Sequence, residues 1–429
     1  MPTPHFWRDH LTRARWFQGK GLPWKGMSIE ALPWYTTGSD VWVRSELAEV
    51  RAGDTAGTYH LLVGYLPEGR GEPDALIARM DLPGRGVVDV VDAPHSPQAM
   101  AALMTALTED DPSVPQPGGP PSVRWVGPPP GPALPTQVFS GEQSNTTVAV
   151  GEHVLFKIFR KLSPGPNLES EVMSALEGSP IVPRLIGTLS TPGRGYDLGI
   201  FSQRILHARD GWTYCVEACG ADQSIADQMR DLGRTLRILH EDLRSVFPTG
   251  VVDSSVISAT MLDRLDTACA QVPELAQMRN SLRAILDLPP CDVQIQRVHG
   301  DFHLGQALIS PTGWTIIDFE GEPLKTPEER AAPDSVWRDV AGLVRSLDYA
   351  RSTHPDSRSN NAERWYTQAR GAFLDGYLDG AALPDRLLTA YEVDKAIYEL
   401  VYELRNRPTW AGIPRHAIRE AIAESQASH

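Results

Sequence analysis

Cysteine is scarce in this 429-residue chain, and the four present, Cys215, Cys219, Cys269 and Cys291, form no C-x-x-C pair. That spacing excludes a disulfide-stapled fold and a dithiol redox motif. Long hydrophobic runs are also missing, and the N-terminus lacks the apolar stretch of a signal peptide, so the expected location is the cytoplasm. Basic residues are in deficit, with 40 Lys and Arg against 54 Asp and Glu, a net charge of −14 and a pI near 5.3. Such an excess argues against nucleic acid or an anionic membrane as partner, although a nucleotide needs only a local positive site. There is no internal repeat. What remains is an acidic chain long enough for two or three domains and a sizeable core.

Proline and glycine, 36 of each, mark the main boundary. From Asp111 to Pro135 they form a stretch that cannot sustain a helix and reads as a semi-rigid connector at 111–135. Only Val123-Arg124-Trp125-Val126 interrupts it, as a short strand. Residues 1–110 before it carry alternating runs such as Val41-Trp42-Val43 and Tyr59 to Tyr65, with a helix over Ser96–Thr108, and read as a β-rich N-terminal cap. Residues 136–206 read as a β-rich lobe and 207–429 as a mostly helical one.

The chemistry concentrates in Arg297-Val298-His299-Gly300-Asp301-Phe302-His303-Leu304-Gly305-Gln306, followed by Ile316-Ile317-Asp318-Phe319-Glu320. Asp301, on a tight loop after an apolar strand, is suited to accept a hydroxyl proton or to aim that hydroxyl at a phosphate. Gln306 and Asp318 offer the hard oxygen ligands that magnesium prefers, and Glu320 offers a further one. The order His-x-Asp-x4-amide, then Asp-Phe-x, parallels the protein-kinase catalytic loop and metal triplet, with Gln306 for the usual Asn and Glu320 for the usual Gly. His299 and His303 stand four apart, as zinc ligands can, but Gly-Asp-Phe between them lacks the glutamate of the metalloprotease helix. His299 reads instead as a brace for the loop.

An ATP clamp stands upstream. The small polar loop containing Gln143, Ser144 and Asn145 precedes Val148-Ala149-Val150, a Gly151-Glu152 turn and Val154 to Phe159, which together predict a hairpin. Lys157 is its strand lysine, placed to reach the α- and β-phosphates. The loop lacks a glycine triplet, and its weight comes from standing in order with the later motifs. A helix starting near Asn167 carries Glu169 and Glu171 in its first turn; Glu171 is preferred as the partner of Lys157, with Glu169 as the near competitor. Leu198 to Phe201, then Gln203 to Leu206, predict a strand and a hinge in which Gln203 and Ile205 read the adenine.

Several stretches carry a family resemblance. They are Arg15 to Gly21, Glu142 to Thr146, Asp210-Gly211-Trp212, His299 to Gln306, Asp318 to Pro323, Arg338 to Gly342, and Tyr402 to Pro408 with Trp410. On these the chain resembles the maltokinase family, a branch of the aminoglycoside-phosphotransferase-like kinases that includes glucosamine kinases. The resemblance implies an α+β, bilobal, eukaryotic-protein-kinase-like fold with an extra β-rich cap, ATP and Mg2+ as cofactors, and a sugar or amino sugar as acceptor. A monomer is the expected state. It also implies an acceptor site that includes His303, Glu322, Trp337, Arg338, Glu399 and Glu403. Where maltokinases read Pro-Asp-Ser-Pro-Leu-Arg-Asp, this chain reads Pro333-Asp334-Ser335-Val336-Trp337-Arg338-Asp339. Trp337 offers a sugar ring a flat wall, or simply packs beneath the following helix.

Between Asp394 and Arg405, Ile397, Leu400, Val401 and Leu404 share a helical stripe that leaves Glu399 and Glu403 on the other face. Such carboxylates are either solvated or aimed at the acceptor, where an ammonium gains more from them than a hydroxyl does. The expected activity is therefore ATP-dependent phosphorylation of glucosamine at its 6-hydroxyl, with maltose at its 1-hydroxyl as the alternative. An aminoglycoside phosphotransferase shares the catalytic loop but lacks such a cap. A non-catalytic binding module would be expected to lose Lys157, Asp301 or Asp318, and all three are present.

Overall fold

The structure is a computed structural model describing residues 5–36, 40–109, 118–132, 134–139, 144–322 and 325–427. The chain divides into two compact units, Met1–Glu177 with Pro183–Leu206, and Gly178–Val182 with His207–His429.

The first unit is built on two antiparallel sheets. It runs α1 (His5–Arg13), β1 (Trp24–Ala31), β2 (Trp42–Ala52), β3 (Thr55–Pro67), β4 (Leu76–Leu82), β5 (Gly86–Asp92) and α2 (Pro97–Glu109). Next come β6 (Ser122–Trp125), β7 (Thr136–Val138), β8 (Thr146–Val150), β9 (Val154–Ile158), β10 (Lys161–Leu162), α3 (Leu168–Ala175), β11 (Leu185–Ser190) and β12 (Asp197–Gln203). The cap sheet has the order β1-β2-β3-β5-β4, with β10 also pairing β3. Alternation along β2 and β3 sends Val50, Leu61, Val63 and Tyr65 into a core with Trp7 and Leu11 of α1 and with Trp16 and Phe17.

The second sheet has the order β6-β11-β12-β9-β8-β7. Thus β6, inside the Pro/Gly-rich stretch, is an edge strand of this sheet. β8 and β9 form the expected hairpin, but Val150 pairs with Val154, so the connecting loop has three residues rather than two. Gly151 supplies the left-handed turn position at φ +61°. Along β9, Phe156 faces inward and stacks on Phe201 of β12 at 4.2 Å, which turns Lys157 to the opposite face.

Helices dominate the second unit. In order they are β13 (Arg209–Asp210), α4 (Gly211–Gly220), α5 (Ala226–Val246), β14 (Gly250–Asp253), α6 (Ser254–Gln271), α7 (Pro273–Leu286) and β15 (Asp292–Ile295). There follow β16 (Ala307–Ser310), β17 (Gly313–Ile316), α8 (Pro327–Ala331), α9 (Trp337–Ser352), α10 (Asn360–Leu378), α11 (Asp385–Asn406) and α12 (Gly412–Ala427). Helix α9 is buried along nearly its whole length, so its charged residues must be paired internally. α5 and α10 approach closely because residue 376 is glycine; a Cβ there would lie 2.0 Å from the Arg230 carbonyl oxygen.

Helix α11 corrects the sequence reading. Ile397 and Leu400 are buried as expected, but Val401 is half-buried, Leu404 is exposed, and Glu403 is buried at 1% exposure. Glu403 is accommodated there by Arg407 at 2.7 Å and by the hydroxyl of Tyr349 at 3.2 Å. The apolar count left it either solvated or aimed at the acceptor; its two polar partners hold it in the interior instead.

Candidate active site

In the first unit, the Lys157 ammonium lies 2.6 Å from Glu169 Oε2. The ion pair expected of Glu171 is therefore made by Glu169, which is buried, while Glu171 is exposed. The cap of α3 explains the choice. Asn167 accepts the Glu169 N–H through its side chain, fixing Glu169 in the first turn facing the sheet. Ser144 is exposed, and Asn145 is turned inward, where its side-chain oxygen accepts the Arg160 N–H at 3.2 Å. That is a structural clamp in place of the nucleotide contact expected of Asn145. Gln143 lies outside the described residues. Gln203 ends β12, its N–H donating to the Arg184 carbonyl at 2.9 Å, and Ile205 follows half-buried.

In the second unit, the loop carrying Asp301 is held from beneath by a buried carboxylate. Asp339 of α9 accepts the His299 N–H at 2.8 Å and the Gly300 N–H at 2.9 Å, and His240 Nε2 reaches the same group at 2.9 Å. Burial pushes Asp339 up, but His240 and the backbone donors outweigh it, and the group stays below the usual carboxylate range. α9 comes this close because residue 342 is glycine, where a Cβ would lie 2.4 Å from the Phe302 carbonyl oxygen. His299 spans two loops as a brace: its Nε2–H donates to the Ile317 carbonyl at 3.0 Å, and its Nδ1 faces the Asp301 N–H at 3.4 Å. Sequence reasoning gave Asp339 no role, although a carboxylate in an apolar helix is a signal that could have found it.

Gln306 and Asp318 lie side by side. The Gln306 amide donates to Asp318 Oδ2 at 3.0 Å, leaving its own oxygen for another partner. Asp318 sits in the left-handed region at φ +66°, a strain that persists where the surrounding structure demands it. Glu320 is half-buried on the same loop, its carbonyl held by Arg330 at 3.0 Å. Among the described residues no three His, Cys, Asp or Glu side chains converge as a metal cage. One carboxylate and one amide nevertheless fit magnesium, which keeps waters and shares phosphate oxygens instead of entering an all-protein site.

Beside Asp301 lies a cavity of about 170 Å³ whose lining includes Arg264, Glu322, Lys325, Arg338, Tyr391, Asp394, Lys395 and Tyr398. Of the acceptor residues named from sequence, it is lined by Glu322 and Arg338. Arg338 bonds Glu322 at 2.8 Å and Asp334 at 3.0 Å, and its Nε–H donates to the Gly300 carbonyl at 3.2 Å. Burial pushes Glu322 up, but Lys395, Arg338 and Lys325 prevail and hold it down at about 2. Four cations, Arg264, Lys325, Arg338 and Lys395, are balanced by Asp301, Glu322 and Asp394 with Asp334 behind Arg338.

The other acceptor assignments change. Glu399 is held by Arg345 at 2.8 and 3.0 Å, and Glu403 by Arg407 and Tyr349, so both carboxylates serve the packing of α11. Trp337 packs edge-on against Tyr377 at 5.6 Å, so its ring is a helix-packing element and no sugar platform. His303 accepts the Gly305 N–H at 3.1 Å and braces the turn, and burial pushes its ring below the ordinary histidine range, leaving it neutral. The residues sequence reasoning missed are Lys395, Asp394 and Arg264. An Asp-Lys pair one turn from the predicted acidic face was the available signal.

The phosphotransferase enzyme family matches residues 135–388. The chain belongs to that family. The maltokinase N-terminal cap domain matches residues 10–95 of this phosphotransferase. It is 28% identical to a glucosamine kinase of Streptacidiphilus jiangxiensis over 66% of this chain and 72% of that protein. It is 23% identical to a glucosamine kinase of Mycolicibacterium smegmatis (strain ATCC 700084 / mc(2)155), covering 66% and 78%. The solved structure of a glucosamine kinase in complex with glucosamine, ADP and inorganic phosphate superposes with a TM-score of 0.65 at 21% identity, covering 98% of this chain and 99% of that one. At that identity the likeness is one of fold.

Proposed function

We propose that this phosphotransferase moves the γ-phosphoryl group of ATP to the 6-hydroxyl of glucosamine. The observation that carries the reading is a small cavity whose lining brings Asp301 together with Glu322 and Asp394, in a chain whose relatives include two glucosamine kinases. At about 170 Å³ the cavity falls below the roughly 300–1,000 Å³ usual for drug-sized ligands, which favours one sugar ring over a disaccharide.

Lys157, oriented by Glu169, holds the α- and β-phosphates of ATP. Asp301 accepts a hydrogen bond from the acceptor hydroxyl and takes its proton as the phosphoryl group leaves ADP. Gln306 and Asp318 would hold magnesium, which would supply positive charge to the phosphates. Asp394 lines the cavity and Glu399 and Glu403 do not, so the carboxylate for the substrate's ammonium is Asp394. It faces one guanidinium, Arg264, which bonds Oδ1 at 3.0 Å and Oδ2 at 2.5 Å, whereas Glu322 faces three cations.

The match to the maltokinase cap domain keeps maltose as the competing acceptor. The test is ADP release with Mg2+ on glucosamine, maltose, glucose and kanamycin. Glucosamine is expected to give the highest kcat/KM. A higher value for maltose or kanamycin overturns the acceptor assignment.

A further inference from the structure

Lys395 of α11 lies 3.2 Å from Asp301 Oδ1 and 3.1 Å from Glu322 Oε1, linking positions 94 and 73 residues away in the chain. Its ammonium also stands 5.3 Å from the Tyr398 ring centroid, in cation–π range. The side chain is 24% exposed, and Asp301 and Glu322 are 22% and 10% exposed, so the three charges meet in a partly desolvated place.

The ammonium thus bridges the two carboxylates and ties Asp301 to Glu322 across the cavity. A freely turning Asp301 would lose the aim that in-line transfer needs. One ammonium supplies that restraint. It holds Oδ1, and among the described residues Oδ2 has no recorded hydrogen bond, which leaves that oxygen for the acceptor hydroxyl.

We propose that Lys395 is the positioning residue of the catalytic carboxylate, locking Asp301 against Glu322 so that the other oxygen of Asp301 stays aimed at the acceptor. The inference rests on Asp301 being the base, and it holds for whichever sugar the chain accepts. Lys395 acts through Asp301, so its loss slows turnover and leaves nucleotide binding alone.

The experiment compares kcat, KM for ATP and melting temperature in wild type, Lys395→Met and Lys395→Arg, using whichever of glucosamine, maltose and glucose the wild type turns over. The Met variant is expected to lose tenfold or more in kcat, with KM for ATP within threefold. The Arg variant, able to bond both carboxylates, recovers at least a third of that loss on a logarithmic scale. The proposal is overturned if the Met variant keeps kcat within threefold, if KM for ATP rises as much as kcat falls, or if a folded Arg variant does no better than Met. Should Lys395→Met not fold, Lys395→Gln is read against the same limits. A wild type that prefers maltose contradicts the glucosamine assignment alone, since the Lys395 comparison is then made with maltose.

Discussion

Within the acceptor cavity, Asp394 and Glu322 differ in how much positive charge already surrounds them. Glu322 faces Lys395, Arg338 and Lys325, while Asp394 is bonded at close range by Arg264. An incoming ammonium is better received by the less compensated group. Asp394→Asn should lower kcat/KM for glucosamine tenfold or more relative to glucose, corresponding to about 1.5–3 kcal/mol for a charge-assisted hydrogen bond. Glu399→Gln should instead weaken the pair with Arg345, reducing thermal stability and affecting both sugars alike. Equal losses for the two sugars in Asp394→Asn, or a glucosamine-selective loss in Glu399→Gln, would reverse the assignment. At the metal end, Asp318→Ala should abolish the magnesium dependence of ADP affinity, and Gln306→Ala should weaken it less, because an anion holds a dication more firmly than an amide does. Titrating magnesium against ADP affinity gives the order, and identical curves for wild type and both variants would remove these ligands from the account.

Between elements, the catalytic loop depends on α9. Asp339 satisfies two loop N–H groups and His240, which in turn reaches the Tyr377 hydroxyl at 2.8 Å, so one carboxylate ties together the loop, α5, α9 and α10. Asp339→Ala leaves these donors unpaired in the interior, a loss of about 3–5 kcal/mol by analogy with broken buried pairs. The expected result is a lowered melting temperature together with lost turnover; a variant as stable as wild type would show the network to be dispensable. The loops carrying Asp301, Gln306 and Asp318 could be located in sequence because these residues stand at fixed local spacing, and the roles proposed for them rest on that spacing. The Lys157 pair was legible only to within two residues, since the cap at Asn167 decides which carboxylate of the first turn faces the sheet. The roles of α11 were not legible, because an apolar count cannot see that Arg345 and Arg407 fold back onto Glu399 and Glu403. Lys395 and Asp394 were missed for the same reason, their partners lying in distant segments.

At the scale of the whole molecule, the cap and the ATP hairpin share one unit through Arg160, which is fully buried and bonds Asp92, the Thr146 hydroxyl and the His60 carbonyl. His60 lies beside it, hydrogen-bonded to the Ser45 hydroxyl and the Phe159 carbonyl, and burial with the Arg160 charge pushes its ring down to about 3. The unfolded ring takes its proton near 6.5. Between those values the unfolded chain binds more protons, so stability falls as pH drops from about 6.5 towards 3, by up to ~1.4 kcal/mol per pH unit. The melting temperature of the first unit should therefore fall less between pH 7 and 5 in His60→Gln than in wild type, and parallel slopes would contradict this. No helix among the described residues is long and apolar enough to cross a membrane.

The most direct measurement of the central claim is phosphorus NMR of wild type and Asp301→Asn incubated with ATP, Mg2+ and glucosamine. Wild type should produce ADP and a single new phosphomonoester resonance coupled to the C6 protons. Asp301→Asn should do so about 10²–10⁴ times more slowly with ATP affinity within a few-fold, the usual cost of losing a positioned base. A phosphomonoester on another carbon, no product from wild type, or unchanged turnover in a folded Asp301→Asn would contradict the account.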